Sequence, residues 1–360
     1  MNGPELVSHA RDQLAASLAT RAAPTPAPLT ISPWLAMALL QKAIRRGRED
    51  LALQAAATLL RDGPDRLWRR CGAIAFEDIG VADLDTVALV TAALAGKGWR
   101  ARLGGEWAVA SLVVSRMADA PKCRAADDLL MGVERHPALT EARGELAFLP
   151  TSELLGIATG QGRLPERALA LWYALGTARR PSHHLQPRRG DPQAVFDHLC
   201  DRGYPDSVVE VAREGYRKVG EVLCPFVSLL CPLRRGQPAH IVDDELPPET
   251  PIGDVPSWAF DMFVREGRQA IKLFLLEEAP STQWVREHVP GPRRVEFLGN
   301  ILFAAEGGLL RSRLDWPTGA ALRRFSEREA QGSGCVDAAE IIQLLRADLP
   351  RLNRVRTRVG

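Results

Sequence analysis

Two adjacent carboxylates, Glu77 and Asp78, follow an apolar stretch in the sequence IAFEDIGVAD, which covers residues 74–83. A pair of acids can carry out general acid and base catalysis, bind a partner or organise a junction between helices. The pattern places both acids at the end of a predicted helix, just before Gly80. The carboxyl end of a helix already has partial negative charge, so these acids require a compensating cation or hydrogen-bond donor.

A second group of polar residues lies between positions 180 and 250. Metal-dependent hydrolysis needs several such side chains brought together. The group consists of His183, His184, Asp191, His240, Asp243 and Asp244. Their spacing specifies no ligand set, and the cysteines form no Cys-x-x-Cys pair, so we expect neither a metal nor another cofactor. Polar loop residues are the favoured interpretation, and a metal-dependent hydrolase or nuclease with a site in residues 180–250 is the alternative.

Nucleotide hydrolysis is not indicated, because the closest approach to a phosphate-binding loop is the tripeptide Gly96-Lys97-Gly98. Basic residues are concentrated elsewhere. One cluster follows the first core helix at residues 45–48, and the C-terminal tail is strongly cationic. Nucleic-acid phosphates are candidate ligands of the tail. The predicted contact residues are Arg351, Arg354, Arg356 and Arg358.

The composition is that of an ordinary globular protein. Hydrophobic residues make up 46% of the chain and charged residues 25%, and the formal net charge of +2 neither demands nor excludes nucleic acid. No apolar run approaches the roughly 20 residues that a membrane span needs, and the N-terminus lacks the apolar core of a secretory signal. We therefore expect a soluble, cytoplasmic protein that does not bind membranes.

Helical periodicity dominates the chain, and alternating β-branched runs are few, so the predicted fold class is all-α. Residues 1–31 are predicted to form an N-terminal helix and a proline-rich linker. Residues 32–145 are predicted to form a compact helical domain. Residues 146–360 are predicted to form a second helical region of unassigned type, with a loop-rich segment at 234–256. Asp83 is well placed as the N-cap of a helix.

Residues 32–135 contain two ordered motifs about forty residues apart. The first is LLQKAIRRGREDLALQAAATLLRDGPDRLWRRCGAIAFEDIGVAD, and the second is ASLVVSRMADAPKCRAADDLL, with Ala120-Pro121-Lys122-Cys123 at a helix end. Together they resemble the segment that follows the ATPase core in the replication-associated recombination AAA+ ATPases, a family that includes the Werner-helicase-interacting protein. That segment is an all-α domain, similar to the clamp-loader collar, which holds subunits together as a tetramer.

The resemblance implies an oligomerisation or scaffold function associated with DNA replication, recombination or repair. ATPase activity is not implied, because the family's ATPase core should precede this segment and only about thirty residues do. We expect a non-enzymatic protein that assembles with itself or with a replication or recombination ATPase, and that contacts DNA.

In this context the acids at 77 and 78 are predicted to form a structural junction, with a partner contact second and catalysis third. Their predicted partners are backbone N–H groups at the helix start near Lys122, or a basic side chain such as Arg70 or Lys122. The residues assigned to this structural or partner motif are Arg69, Arg70, Glu77, Asp78, Gly80, Asp83, Pro121 and Lys122.

Overall fold

A computed structural model describes residues 5–330 and 338–359. This part of the chain is mostly helical, as predicted. The α-helices are α1 Glu5–Thr20, α2 Pro33–Arg45, α3 Glu49–Asp62, α4 Pro64–Ile74, α5 Leu84–Ala93, α6 Lys97–Arg102, α7 Glu106–Asp119, α8 Ala125–Arg135, α9 Thr140–Leu146, α10 Thr151–Thr159, α11 Leu164–Leu175, α12 Pro192–Asp201, α13 Asp206–Val219, α14 Leu223–Arg235, α15 Arg265–Phe274, α16 Pro280–His288, α17 Arg294–Leu302, α18 Pro317–Ala330 and α19 Ala338–Thr357.

Strands are short and sparse within the described residues. They are β1 His240–Val242, β2 Pro251–Ile252, β3 Val255–Pro256 and β4 Arg313–Asp315. Strands β2 and β3 pair antiparallel, with Ile252 opposite Val255. Two π-helical turns, Ala75–Ile79 and Phe303–Gly307, directly follow α4 and α17.

Internal contacts divide the chain into two compact units. The first contains Met1–Ala23, Trp68–Ile241 and Leu314–Glu329, and the second contains Pro24–Leu67, Val242–Arg313 and Ala330–Gly360. Each unit combines segments that are distant in sequence, whereas the predicted domains were continuous. A division by contacts does not test where independently folding domains begin, so the ranges 1–31, 32–145 and 146–360 stay predictions.

The first unit has a helical core centred on large aromatic side chains. Phe76, Trp172 and Phe226 are fully buried in it. Helix α1 packs on α5, α10 on α11, and α13 on α14. Gly215 in α13 is needed at its position, because a Cβ there would lie 2.3 Å from the Phe76 ring. Burial of the apolar faces of these helices supplies the main stabilisation of the unit.

The second unit combines the α2–α3 hairpin with a cluster built from α15, α16, α17 and α19. Sequence periodicity predicts the last helix at Asp337–Asp348, but α19 extends well beyond Asp348 and passes through Pro350. The helix continues because Leu349, Leu352 and Val355 recur at helical spacing and are all buried. The start predicted for this helix, Asp337, lies outside the described residues.

Across the described ranges, none of the helices combines the length and the apolar character needed to cross a membrane.

Candidate functional site

The acids of IAFEDIGVAD lie in the first π-helical turn. Helix α4 continues directly as Ala75–Ile79, and the amide of Gly80 donates to the carbonyl oxygen of Ala75. This bond spans five residues instead of the four of an α-helix, a rare arrangement that occurs mostly as single turns. Gly80 has φ +49°, and a Cβ there would lie 3.1 Å from the carbonyl oxygen of Cys123. Both facts favour glycine at the end of this turn.

Asp78 is 0% exposed and is held through both its side chain and its backbone. Its Oδ1 lies 3.2 Å from Nη1 of Arg124, and its carbonyl oxygen accepts a hydrogen bond of 2.8 Å from the Cys123 amide. Glu77 is partly exposed, and its Oε1 lies 3.8 Å from the same Nη1. Arg124 also pairs with Asp127 in the first turn of α8. The turn and the segment before α8 are therefore joined by an ionic contact with little access to water.

Arg124 was not among the predicted residues, although it lies only two positions after Lys122. Burial acts to lower the pKa of its guanidinium, but the carboxylates of Asp127, Asp78 and Glu77 raise that pKa above its ordinary value. The guanidinium can contact several carboxylates at once because its donors form a planar fork.

Lys122 is buried but has a different role from the predicted one. Its Nζ donates to the carbonyl oxygens of Ala118 and Ala120, each at 2.5 Å, where α7 ends. A cation at this position compensates the partial negative charge of the helix end. Burial lowers the pKa of Lys122 to about 8, while the nearby Asp119, Asp78 and Asp83 act to raise it.

The remaining motif residues support the same junction. Asp83 is the N-cap of α5, as predicted, because its Oδ1 accepts from the Thr86 amide at 3.0 Å. Pro121 is half-buried and follows directly after the end of α7. Arg69 is exposed and Arg70 is half-buried, both on α4.

Helix α18 contacts α8 beside this junction. The Ser326 hydroxyl donates to Oδ1 of Asp128 at 2.8 Å, and the Phe325 ring stacks on His136 with 4.1 Å between centroids. Burial raises the pKa of Asp128 to about 7, and Asp127 adds to this; Arg124, Ser326 and Arg323 oppose it. Asp128 is therefore a carboxyl group with a pKa near neutral pH, and no motif in the sequence indicates it.

The second unit contains another buried ionic cluster, at the end of α2. Lys42 Nζ lies 2.8 Å from Oδ2 of Asp261, and both side chains are almost completely buried. The prediction treated the arginines that follow as a surface cluster, but Arg45 and Arg46 are 3% and 4% exposed. Arg45 donates to the carbonyl oxygen of Gly307 at 3.1 Å and lies over the Phe303 ring.

Arg46 completes the contact between α2 and the second π-helical turn. Its Nη2 donates to the carbonyl oxygen of Glu306 at 2.9 Å, and its guanidinium lies over the Trp258 ring, 5.0 Å from the centroid. Burial lowers the pKa of Arg46 to about 10, with Glu306 and Glu249 acting in the opposite direction. The carbonyl oxygen and the aromatic face replace part of the hydration that this cation loses on burial.

Arg356 belongs to this cluster and not to the surface, so the expectation that it contacts nucleic acid is wrong. It is 0% exposed. Its Nη2 lies 2.8 Å from Oε2 of Glu306 and donates to the carbonyl oxygen of Phe260, while its Nη1 donates to Oδ1 of Asn353. Its position follows from helical spacing, because Leu352 and Val355 on the same face also face the core.

The other three predicted nucleic-acid contacts, Arg351, Arg354 and Arg358, are exposed. Arg351 Nη1 donates to the carbonyl oxygen of Glu278 at 2.7 Å, and Arg358 Nη1 lies 3.1 Å from Oε1 of Glu277. Neither contact buries the guanidinium, so all three side chains are accessible to a ligand.

The histidines and acids of residues 180–250 are not assembled into one site. Asp191 is the N-cap of α12 and accepts from the Ala194 amide. Asp243 and Asp244 accept from the backbone amides of Ser312 and Leu310. In the described part of the chain, no three His, Cys, Asp or Glu side chains lie close enough together to hold a metal ion. The chain matches no protein-family model, no curated protein and no solved structure.

The junction predicts unequal effects of removing the two acids. Asp78→Asn keeps the shape of the side chain but removes the charge that faces Arg124, so we expect a loss of about 1.5–3 kcal/mol in the free energy of unfolding. Glu77→Gln, at a more exposed and more distant carboxylate, should cost less than about 1 kcal/mol. Urea unfolding followed by circular dichroism measures both; equal losses would show that Asp78 has no special role.

Asp128 predicts a pH dependence of stability. Its pKa is about 7 in the folded chain against 3.8 for the ordinary carboxyl group, so between these values the folded state binds more protons than the unfolded state. Its contribution to stability is therefore present at low pH and is lost as pH rises from about 4 to about 7, with a slope of at most about 1.4 kcal/mol per pH unit.

Asp128→Asn should remove this contribution while keeping an acceptor for the Ser326 hydroxyl. The test is to unfold the wild type and the variant in urea at several pH values and to compare their free energies of unfolding at each pH. If the difference in unfolding free energy between wild type and variant does not change between pH 4 and pH 7, the pKa of Asp128 is not raised.

The buried cluster of the second unit predicts a large cost for the loss of its glutamate. Glu306→Gln leaves Arg356 buried without its carboxylate and removes a negative charge near Arg46, so we expect a loss of about 3–5 kcal/mol in unfolding free energy. The double variant Glu306→Gln/Arg356→Met should recover part of that loss because one buried cation is removed as well. Glu296→Gln, at an exposed acid of α17, is the matched control. Denaturant unfolding measures the free energy of unfolding of each variant, and similar losses for both glutamates would contradict the special role of Glu306.

Proposed function

We propose that this chain is a non-enzymatic assembly protein of DNA replication, recombination or repair, with helices that act as a clamp-loader-like collar. The observation that carries the proposal is that five charged residues of the resembling motifs serve as internal contacts. Lys42, Arg45 and Arg46 are buried in one unit, and Asp78 and Lys122 in the other. Residues used in this way shape the fold and are not presented to a substrate.

The proposed partner is a second copy of the chain, as a tetramer by the resemblance, or a replication or recombination ATPase that supplies the motor. An assembly surface needs exposed apolar side chains, and Trp is enriched at the centre of such surfaces. Trp34 is 65% exposed in the first turn of α2, inside the resembling segment. Phe148 is 80% exposed outside that segment.

Self-assembly through this segment predicts different effects of two matched substitutions. Multi-angle light scattering at micromolar concentration should give the mass of four chains for the wild type. Trp34→Ser should lower that mass, because it removes the exposed aromatic side chain of the collar-like segment. Phe148→Ser should leave it unchanged.

Two results would count against the proposal. The first is a strictly monomeric wild type that also captures no recombination ATPase from the same organism when the two purified proteins are mixed. The second is a loss of assembly in Phe148→Ser alone, which would locate the interface outside the resembling segment.

A further inference from the structure

Helix α15 has a strongly basic exposed face. Its buried side consists of Gly267, Ala270, Ile271 and Phe274. The exposed side chains of this helix, all of whose residues are described, are Arg265, Arg268, Gln269 and Lys272. The three cations follow an i, i+3, i+7 spacing, which places them in one row about 10 Å long. The exposed face therefore carries three positive charges, and the one acid of α15, Glu266, is half-buried.

The end of α19 repeats this arrangement. Arg351, Arg354 and Arg358 have the same spacing and are exposed, while Leu352 and Val355 between them are buried. Between residues 347 and 358 the other exposed side chains are an alanine, a proline and a threonine. The row has no exposed acid of its own, and Arg358 pairs with Glu277 from the segment after α15.

The two rows belong to neighbouring parts of the second unit. Ala270, Ile271 and Phe274 of α15 share one hydrophobic cluster with Leu352 and Val355 of α19. The contacts of Arg351 and Arg358 with residues 278 and 277 place the α19 row beside the chain that leaves α15. Because the whole chain has a net charge of only +2, six cations on two packed helices are a local concentration of charge.

An exposed aromatic ring lies at the other end of α15. Phe263 is 68% exposed, two residues before Arg265, and contacts Phe303 edge to face with 6.1 Å between ring centroids. A single exposed ring is common on protein surfaces, and what distinguishes this one is its position beside the cations of α15. Nucleic-acid bases cover such rings by stacking, with little dependence on sequence.

We propose that the exposed face of α15 and α19, with Phe263 at its edge, binds single-stranded nucleic acid. We define this cation face by its residues Arg265, Arg268, Lys272, Arg351, Arg354 and Arg358. Five of the six cations are arginines, whose planar donors fit phosphate oxygens in pairs. The phosphates bind the two rows, and a base stacks on Phe263. This inference rests on the DNA-associated part of the proposed function and names the ligand of that function.

The test measures the binding of a fluorescein-labelled thirty-nucleotide oligothymidylate to the full chain by anisotropy, at several salt concentrations. The triple variant Arg265→Gln/Arg268→Gln/Lys272→Gln should bind about tenfold more weakly or worse at low salt. The slope of log affinity against log salt should fall by about 2, since each phosphate contact on a single strand contributes about 0.7. The matched control removes three exposed cations from the first unit, as Lys97→Gln/Arg102→Gln/Arg202→Gln, and should leave both quantities unchanged.

The contribution of the α19 row to binding must be tested by substituting its arginines and not by deleting the end of the chain. Removal of residues 350–360 would also remove Leu352, Val355 and Arg356 from the core of the second unit. Arg351→Gln/Arg354→Gln/Arg358→Gln changes only exposed side chains and should lower affinity and salt slope as the α15 variant does. Circular dichroism verifies that each triple variant remains folded.

A substitution of Phe263 tests whether the cation face prefers single-stranded to duplex nucleic acid. Phe263→Ala should weaken binding to the oligothymidylate by about fivefold or more, because stacking on one ring is lost, and should leave binding to a duplex of equal length unchanged. Leu276→Ala, at an exposed aliphatic side chain just after α15, is the control and should change neither.

Three outcomes would overturn the inference: no binding of the oligothymidylate at low salt, equal effects of the test and control triple variants, or tighter binding of polyglutamate, which would assign the face to an acidic protein. Light scattering tests the assembly proposal independently. A tetramer that does not bind the oligonucleotide overturns this inference alone, and a monomer that binds it through the cation face overturns self-assembly alone.

Discussion

A carboxylate that is removed from water must be matched by a cation held in place, and both units of this chain are organised around that requirement. Asp78 is matched by Arg124 in the first unit, and Glu306 by Arg356 in the second. The partners are 46 and 50 residues apart in sequence. Since either acid would be strongly destabilising without its arginine, each pair determines which segment packs against which turn. Hydrophobic burial supplies most of the stability of such a core, but it is not directional. The ion pairs determine which positions of the two segments lie opposite each other.

Both acids are presented by the same rare element. Each is the fourth residue of a π-helical turn, and the amide of the glycine that follows the turn, Gly80 or Gly308, donates to the carbonyl oxygen five residues earlier. The sequences leading into the turns also correspond, since Gly-x-Ile-x-Phe-x-x-x-Gly occurs at residues 72–80 and again at 299–307. The acid is the seventh residue of this pattern in the first unit and the eighth in the second, so the two sequences are similar but place their turns one residue apart.

The local sequence predicted the all-α class and the N-cap Asp83, because both depend on residues close together in the chain. It did not predict the π-helical turns, whose five-residue hydrogen bond breaks the period on which helix prediction rests. The partner of Asp78 was missed because Lys122 and Arg124 are both basic and two positions apart, and only the folded chain shows that Lys122 caps α7. The buried positions of Arg45, Arg46 and Arg356 were missed for a related reason: sequence places them on helices, but the acids that make their burial tolerable, Glu306 among them, come from distant segments.

The distribution of charge separates the residues that build the molecule from those that remain accessible to a ligand. Lys42, Arg45, Arg46, Arg124 and Arg356 have ion pairs, carbonyl oxygens or aromatic rings as partners inside their own unit, so their positive charge contributes little to the field outside. The exposed cations of α15 lie on a helix face where a phosphate would add contacts and displace only water and counterions. Arg351 and Arg358 are equally exposed, although they contact the carbonyl oxygen of Glu278 and the carboxylate of Glu277. An arginine-rich sequence therefore does not by itself indicate a ligand site. The criterion is whether the side chain is buried against its partners, and it excludes Lys42, Arg45, Arg46 and Arg356 while retaining the exposed Arg351, Arg354 and Arg358.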